Sequence, residues 1–335
     1  MREGLYSGKY LEMIYKFGVE DGFNMIEKRV KEGNIVNASE LFSYIELLGM
    51  PFFYYHLSFV KSKITLIVKD LIQLVQEVSE EQLRVIKREK LDQVFFYLEA
   101  LLSRIYTLKG RNEIMMKVKM QIALSLLNSE LLERRIQGIR IISELCKISR
   151  QIPRSNSLNN LLPAQKIVEE IFGKRSHIQL IQRSSELLAY LMSNSNLTET
   201  ELNVIWDCCG RDEQFKVEVY KVITEVIEFL PGKVVGFIIE KYIRSKEYMD
   251  QDIVLLLELS KRLSSVQLSL RALAIEIIWK VILGKLGAPT KKIYDRAVEV
   301  FSLLIASPKL FNENIMGDYF AKILNMIETV FSYYY

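Results

Sequence analysis

Proline, glycine, cysteine and histidine are all sparse in this 335-residue chain, and each shortage removes a class of structure or chemistry. Six prolines and fifteen glycines leave few of the tight turns that an all-β chain needs. The β-branched residues recur at helical rather than alternating intervals, so strands have little support. The three cysteines, Cys146, Cys208 and Cys209, are odd in number and form no C-x-x-C pair. They read as reduced, largely buried thiols of an intracellular protein. The only histidines are His56 and His177. No G-x-x-x-x-G-K-[ST], G-x-G-x-x-G or H-E-x-x-H pattern occurs, so the usual warrants for nucleotide or zinc chemistry are missing. The expectation is a chain with no catalytic residues, no cofactor and no metal.

Long apolar runs are missing too. Segments such as 234–239 and 253–257 fall far short of the roughly 20 residues that cross a bilayer. The opening MREGLYSGKYLEMIYKFG lacks an uninterrupted apolar core followed by a cleavage site. No membrane insertion and no secretion are expected, and a cytoplasmic location follows, with the nucleus left open. Nor is there an excess of one charge, since 45 basic residues face 41 acidic ones for a net +4. A nucleic-acid partner, which calls for a strong or clustered basic excess, is not expected. Arg84, Lys87 and Arg88, with Lys90 nearby, are the one basic cluster weighed as a phosphate or acidic-protein site; Glu80, Glu81 and Glu89 temper it and favour a solvated face.

What the chain has in abundance is helical periodicity. Half of its residues are hydrophobic and about a quarter charged, as in a globular protein rather than a disordered one. Residues 164–209 are the clearest stretch. Pro163 suits a helix start, and Gly173 stops a stripe of Ile167, Val168, Ile171 and Phe172. From His177 the apolar positions through Leu191 fall on one stripe, until Ser193-Asn194-Ser195-Asn196 breaks it. Thr198 and Glu201 form a T-x-x-E capping box ahead of Leu202, Ile205 and Trp206.

Elsewhere the same grammar repeats. Asn37 and Glu40 cap a helix carrying Leu41, Phe42, Ile45 and Leu48. The aromatic run FFYYH after Pro51 cannot all face one stripe. Ser79 and Gln82 open a helix expected to reach about Leu108, closed by Lys109-Gly110-Arg111-Asn112. A hairpin of two antiparallel helices, about 113–127 and 129–149, turns at Asn128-Ser129. Residues 150–162 read as a surface loop. Residues 211–230 are expected to pair with 234–244 across Pro231-Gly232, and helices over 250–262, 264–286, 289–306 and 312–331 finish the chain, with a Ser264/Gln267 box among them. Helix pairs recur every roughly 40 to 50 residues, close to the HEAT/armadillo period. The expected fold is all-α, an irregular HEAT/armadillo-like α-solenoid in a single elongated domain over residues 1–335.

Two stretches carry a family resemblance. IVEEIFG…HIQLIQRSSELLAYLMSNSNLTETELNVIWDC, beginning at Ile167, and LSLLNSELLERRIQGIRIISEL, beginning at Leu124, resemble the helical-repeat region upstream of the catalytic domain in the very large ubiquitin-specific proteases of the fat-facets type. The resemblance covers about residues 115–230. It implies a non-catalytic scaffold that positions protein partners or substrates in the ubiquitin pathway. The family's peptidase domain carries a Gly/Asn-rich box ending in a nucleophilic Cys and a distant His box, and this chain has neither. Adjacent Cys208 and Cys209 point about 100° apart on a helix, with no oriented imidazole supplied by sequence, so packing is the favoured role. Trp206 and Trp279 are weighed as partner anchors, but both sit at core spacing among Ile and Leu. Two alternatives stay open: a piece of a longer deubiquitinase whose peptidase lies beyond Tyr335, where FSYYY ends without a visible cap, and a HEAT-like adaptor with no ubiquitin link.

Overall fold

A computed structural model describes residues 16, 21–32, 35, 37–49, 58–151, 158–194, 197–243, 250–263, 268–285, 290–306, 317 and 321. Among them the chain is all-helical, as its periodicity requires, and no β-strand element forms. It divides into two compact units, Met1–Tyr190 and Leu191–Tyr335.

The first unit contains α1 (Gly22–Lys31), α2 (Ala38–Gly49), α3 (Ser58–Gln76), α4 (Glu80–Arg84), α5 (Arg88–Ile105), α6 (Leu108–Leu127), α7 (Leu132–Gln151), α8 (Ala164–Phe172) and α9 (Ile178–Ile181). The unit boundary falls inside α10 (Ser185–Ser193). Contacts here are of two kinds. Chain neighbours pack together, as in α2 with α3, α5 with α6 and α6 with α7. Helices one hairpin apart also pack, as in α1 with α3, α3 with α6, α2 with α5, α6 with α8 and α7 with α9.

The capping boxes place helix starts where expected. The Glu40 N–H donates to Asn37 Oδ1 at 2.9 Å, and Leu41, Phe42, Ile45 and Leu48 of α2 are all buried. Ser79 and Gln82 close their box reciprocally, at 3.1 and 3.3 Å. The α6–α7 hairpin is the most intimate contact of this unit. Gly138 makes it so: a Cβ there would stand 2.7 Å from Ala123 O and 2.8 Å from the Leu127 nitrogen. The two backbones therefore meet with no side chain between them.

Several boundaries differ from the expected ones. The helix opened by Ser79 does not run to Leu108: it stops at Arg84 and restarts at Arg88, with Lys87 extended at ψ 152°. Leu83 and Ile86 are buried across the break, and Arg134 of α7 donates to the freed carbonyls of Ile86 at 2.6 Å and Arg84 at 2.7 Å. Lys109-Gly110-Arg111-Asn112 does not close that helix but forms the first turn of α6. The chain turns earlier, where the Thr107 hydroxyl accepts from the Gly110 N–H at 3.4 Å. The stripe from His177 to Leu191 is two helices. Buried Ser184 separates them and returns its hydroxyl to Ile181 O at 2.7 Å. In the expected surface loop 150–162, Leu158 and Leu162 are buried, and residues 152–157 lie outside the described residues. So do FFYYH, the Ser264/Gln267 box and almost all of 312–331.

The second unit continues with α11 (Glu199–Cys209), α12 (Glu213–Glu225), a one-turn 3₁₀ helix (Ile227–Phe229), α13 (Gly232–Ile243), α14 (Asp250–Leu263), α15 (Leu268–Ile282) and α16 (Lys291–Ala306). The Thr198–Glu201 box forms, with the Thr198 N–H donating to Glu201 Oε2 at 2.7 Å. Asp212 caps α12 by accepting the Phe215 N–H at 2.9 Å. The expected pairing of 211–230 with 234–244 gives way to a shared partner, since α12 and α13 each pack on α14. Helices α14, α15 and α16 all touch one another around Ile253, Leu257, Ile278, Val281, Ala297 and Val300. Each of the Ile, Leu and Val side chains taken out of water contributes roughly 1.5–3 kcal/mol before the entropy of ordering is set against it.

Candidate interaction surface

The thiols sit where helix packing puts them. Cys146 is buried in α7, and burial, then the nearby Glu186 carboxylate, push its thiol up to about 12. Cys208 is buried and Cys209 half-buried. Burial and then the adjacent Cys208 raise the Cys209 thiol as well. A thiol held protonated at neutral pH is a poor nucleophile. His177 precedes α9, and its Nδ1 accepts the Gln179 N–H at 3.2 Å, which is a capping role. It belongs to the first unit, whereas Cys208 and Cys209 belong to the second. His56 lies outside the described residues, among which no group of three or more His, Cys, Asp or Glu could hold a metal.

The basic cluster is answered by carboxylates. Arg84 Nε meets both oxygens of Glu80 at 2.9 Å, Arg88 lies 3.7 Å from Asp92, and Lys90 pairs with Glu46 of α2. Lys87 is exposed. Charges paired in this way on a solvated surface form no concentrated positive field. The tryptophans do not protrude as anchors. Trp206 is half-buried with its ring 6.2 Å from that of Tyr220, and Trp279 is half-buried 5.2 Å from Phe301.

The geometry instead draws attention to one row of helices in the first unit. Arg134 reaches Arg84 O and Ile86 O just ahead of α5, and Arg140 reaches Asp92 at 2.8 Å, so α5 and α7 run in the same direction, side by side. Ser143 donates to Arg183 O at 3.0 Å and Arg150 to Glu186 at 2.8 Å, which extends the row to α9 and α10. One turn beyond the Arg140–Asp92 bridge, Phe96 is 67% exposed on α5 and Glu144 is exposed on α7; Ile148 follows on α7, also exposed. Phe96 has the Tyr97 ring edge-on at 5.5 Å, and Gly49 of α2 fits against Tyr97, where a Cβ would lie 2.6 Å from the Tyr97 Cβ. Phe96 was legible in principle: in Phe95-Phe96-Tyr97 a helix can turn only part of the triplet inward, and Phe95 is the residue that is buried.

No protein-family model matches the chain, and a search of curated proteins returns no match.

Proposed function

We propose that this chain is a non-catalytic helical-repeat scaffold, an irregular α-solenoid whose stacked hairpins present a surface to protein partners. The observation that carries the reading is a spacing. Long-range side-chain bridges in both units join residues roughly one hairpin apart: Lys90 with Glu46, separated by 44; Arg140 with Asp92, by 48; Ser143 with Arg183, by 40; Lys216 with Asp252, by 36; Arg296 with Glu258, by 38. Together with packing between helices one hairpin apart, separations of 36 to 48 residues are what a stack of irregular repeats of about that length generates, because each repeat touches chiefly its neighbours. Solenoids bind through extended faces, and an exposed aromatic on a braced row is a suitable anchor. The buried, raised thiols and the capping role of His177 favour a non-catalytic reading. A ubiquitin-pathway connection rests on the resemblance over residues 115–230 alone.

The test has two arms. Partners are captured from cells by cross-linking, and a recovered partner is purified and titrated against the parent chain and Phe96→Asp. The expected result is direct binding, weakened about tenfold or more by loss of an anchor of at least 1.4 kcal/mol, with an unchanged melting temperature. Equal affinity for parent and variant removes the row from the reading. The second arm offers the purified chain a ubiquitin C-terminal fluorogenic amide, and turnover lost on replacing Cys146, Cys208 or Cys209 with Ser would overturn the non-catalytic reading.

A further inference from the structure

Three arginines converge on helix C-terminal ends in the first unit, where unpaired carbonyls and the negative end of the helix dipole gather. Arg135 is only 6% exposed. Its guanidinium donates to Leu127 O at the end of α6 (3.2 Å), Glu170 O in the last turn of α8 (2.5 Å) and Arg175 O beyond α8 (2.5 Å). Arg175 reaches back to Ser129 O at 2.9 Å and Asn128 O at 3.4 Å. The Glu170 carboxylate lies between the two, 3.4 Å from Arg135 and 3.5 Å from Arg175. The Ser129 hydroxyl donates to Glu80 at 2.5 Å, Glu80 accepts Arg84, and Arg134 holds the carbonyls of Arg84 and Ile86. The chain of contacts is unbroken from α4, through the α6–α7 turn, to the end of α8.

We infer that Arg134, Arg135 and Arg175 form a clasp that makes the C-terminal ends of α4, α6 and α8 open and close together as one conformational unit. The physics is the fork of the guanidinium. One arginine can satisfy acceptors on two separate segments at once, so releasing it strands carbonyls on both. Arg135 cannot be withdrawn from one helix end and left on the other without leaving a buried charge short of acceptors. Serine and glutamate relay the effect: Ser129, whose main chain is held by Arg175, is the residue whose side chain holds Glu80. The inference concerns coupling within the first unit and stands whether or not the scaffold reading does.

Native-state hydrogen exchange on the full chain tests it. Arg175 is about half-exposed, so Arg175→Gln leaves the core intact, and Arg135→Met removes the buried centre of the clasp. Arg175 touches neither Glu80 nor Arg84 in the contacts above, which makes exchange at residues 80–87 the deciding readout. The expected result for Arg175→Gln is acceleration of about tenfold, the weight of one or two such hydrogen bonds, at 80–87, 124–131 and 168–176 together, with 199–225 unchanged. Acceleration confined to 173–177, or spread evenly over the whole chain, would overturn the clasp. Arg135→Met is expected to reproduce the same three-segment pattern, and protection at 80–87 equal to the parent's in that variant would also overturn it.

Discussion

The two compact units use different chemistry to join helices that are distant in sequence. In the first, alongside side-chain pairs such as Lys90 with Glu46 and Arg140 with Asp92, a set of guanidinium groups donates to main-chain carbonyls: Arg134 to Arg84 and Ile86, Arg135 to Leu127, Glu170 and Arg175, Arg175 to Asn128 and Ser129. In the second, long-range bridges among the described residues join side chains at both ends. Lys216 and Tyr220 each meet Asp252 at 2.8 Å, Arg296 meets Glu258, and Lys241 meets Asn203 at 2.9 Å. A carbonyl acceptor exists whatever residue carries it, so these guanidinium-to-carbonyl bridges tolerate substitution on the acceptor side and depend on backbone position. A carboxylate acceptor can be deleted, so the second unit concentrates its register in single residues such as Asp252, which is 4% exposed. Backbone approach differs as well. Gly138 and Gly49 leave no room for a Cβ, whereas at Gly210 the nearest atom to an added Cβ is Asp207 O at 3.4 Å.

That contrast predicts a ranking. Asp252→Ala should have the largest effect, about 3 to 5 kcal/mol, because it leaves Lys216 largely buried without its counter-charge and removes the acceptor of the Tyr220 hydroxyl. The urea midpoint should fall with the slope unchanged, and hydrogen exchange should place the loss in residues 212–263. A shift under 1 kcal/mol would mean that carboxylates do not carry the register there. Gly138→Ala comes next, at about 2 to 3 kcal/mol from overpacking, with the added methyl forcing α6 and α7 apart. A variant as stable as the parent would show that the two backbones separate at no cost, and the contrast with Gly210 would collapse.

Trp206→Ala should cost about 2 kcal/mol, below the roughly 3–5 kcal/mol of a fully buried Trp, since the ring is only half-buried against Tyr220. A cost of 5 kcal/mol would restore it to the core. Gly210→Ala is the smallest, within about 0.5 kcal/mol, because Gly210 has φ −78° and ψ −3°, a conformation open to any residue. A marked loss there would show hidden crowding. Cys146 sharpens the same picture by pH. Its folded thiol is raised to about 12, so above the ordinary thiol range of about 8.5 the unfolded chain releases a proton that the folded chain keeps. Its contribution to stability is complete below that range and is lost as pH climbs toward 12. Alkylation of Cys146 at pH 8 should therefore track unfolding, and rapid labelling of the folded protein would contradict the burial.

Helix starts were legible because their chemistry is local. Asn37 and Ser79 each satisfy the amide three residues on, and Glu201 satisfies the Thr198 amide three residues back, so a short window of sequence contains donor and acceptor together. Helix ends inside an apolar stripe were not. Nothing between Val85 and Lys87 announces a break, since the residue that satisfies Arg84 O and Ile86 O is Arg134, some 48 to 50 positions later. The same holds at 182–184, where Ser143 takes Arg183 O from 40 positions earlier. The Gly110 cluster misled for a related reason: the turn lies at Tyr106-Thr107, and glycine sits inside the first turn that Thr107 caps.

Among the weighed site residues, sequence spacing rightly placed Cys146 and Cys208 in packed helices. It also placed carboxylates beside the basic cluster, and Glu80 meets Arg84 one turn away. It could not tell that Lys90 meets Glu46 and Arg140 meets Asp92, that both tryptophans stop half-way to the core, or that Phe96 is left outside. These depend on which helices become neighbours, and periodicity along one helix carries no information about its partner's residues.

Composition and period were enough to determine an all-helical chain built from apolar stripes, because a stripe repeating at 3.6 residues has only one secondary structure that can bury it. They determined the principal caps for the same local reason. Only the tertiary structure decided where the stripes break, which arginines serve as helix caps for distant hairpins, and which of two adjacent phenylalanines faces solvent. Each of those outcomes depends on a donor, an acceptor or a backbone brought in from 35 to 50 residues away, at distances near 3 Å that no local pattern encodes.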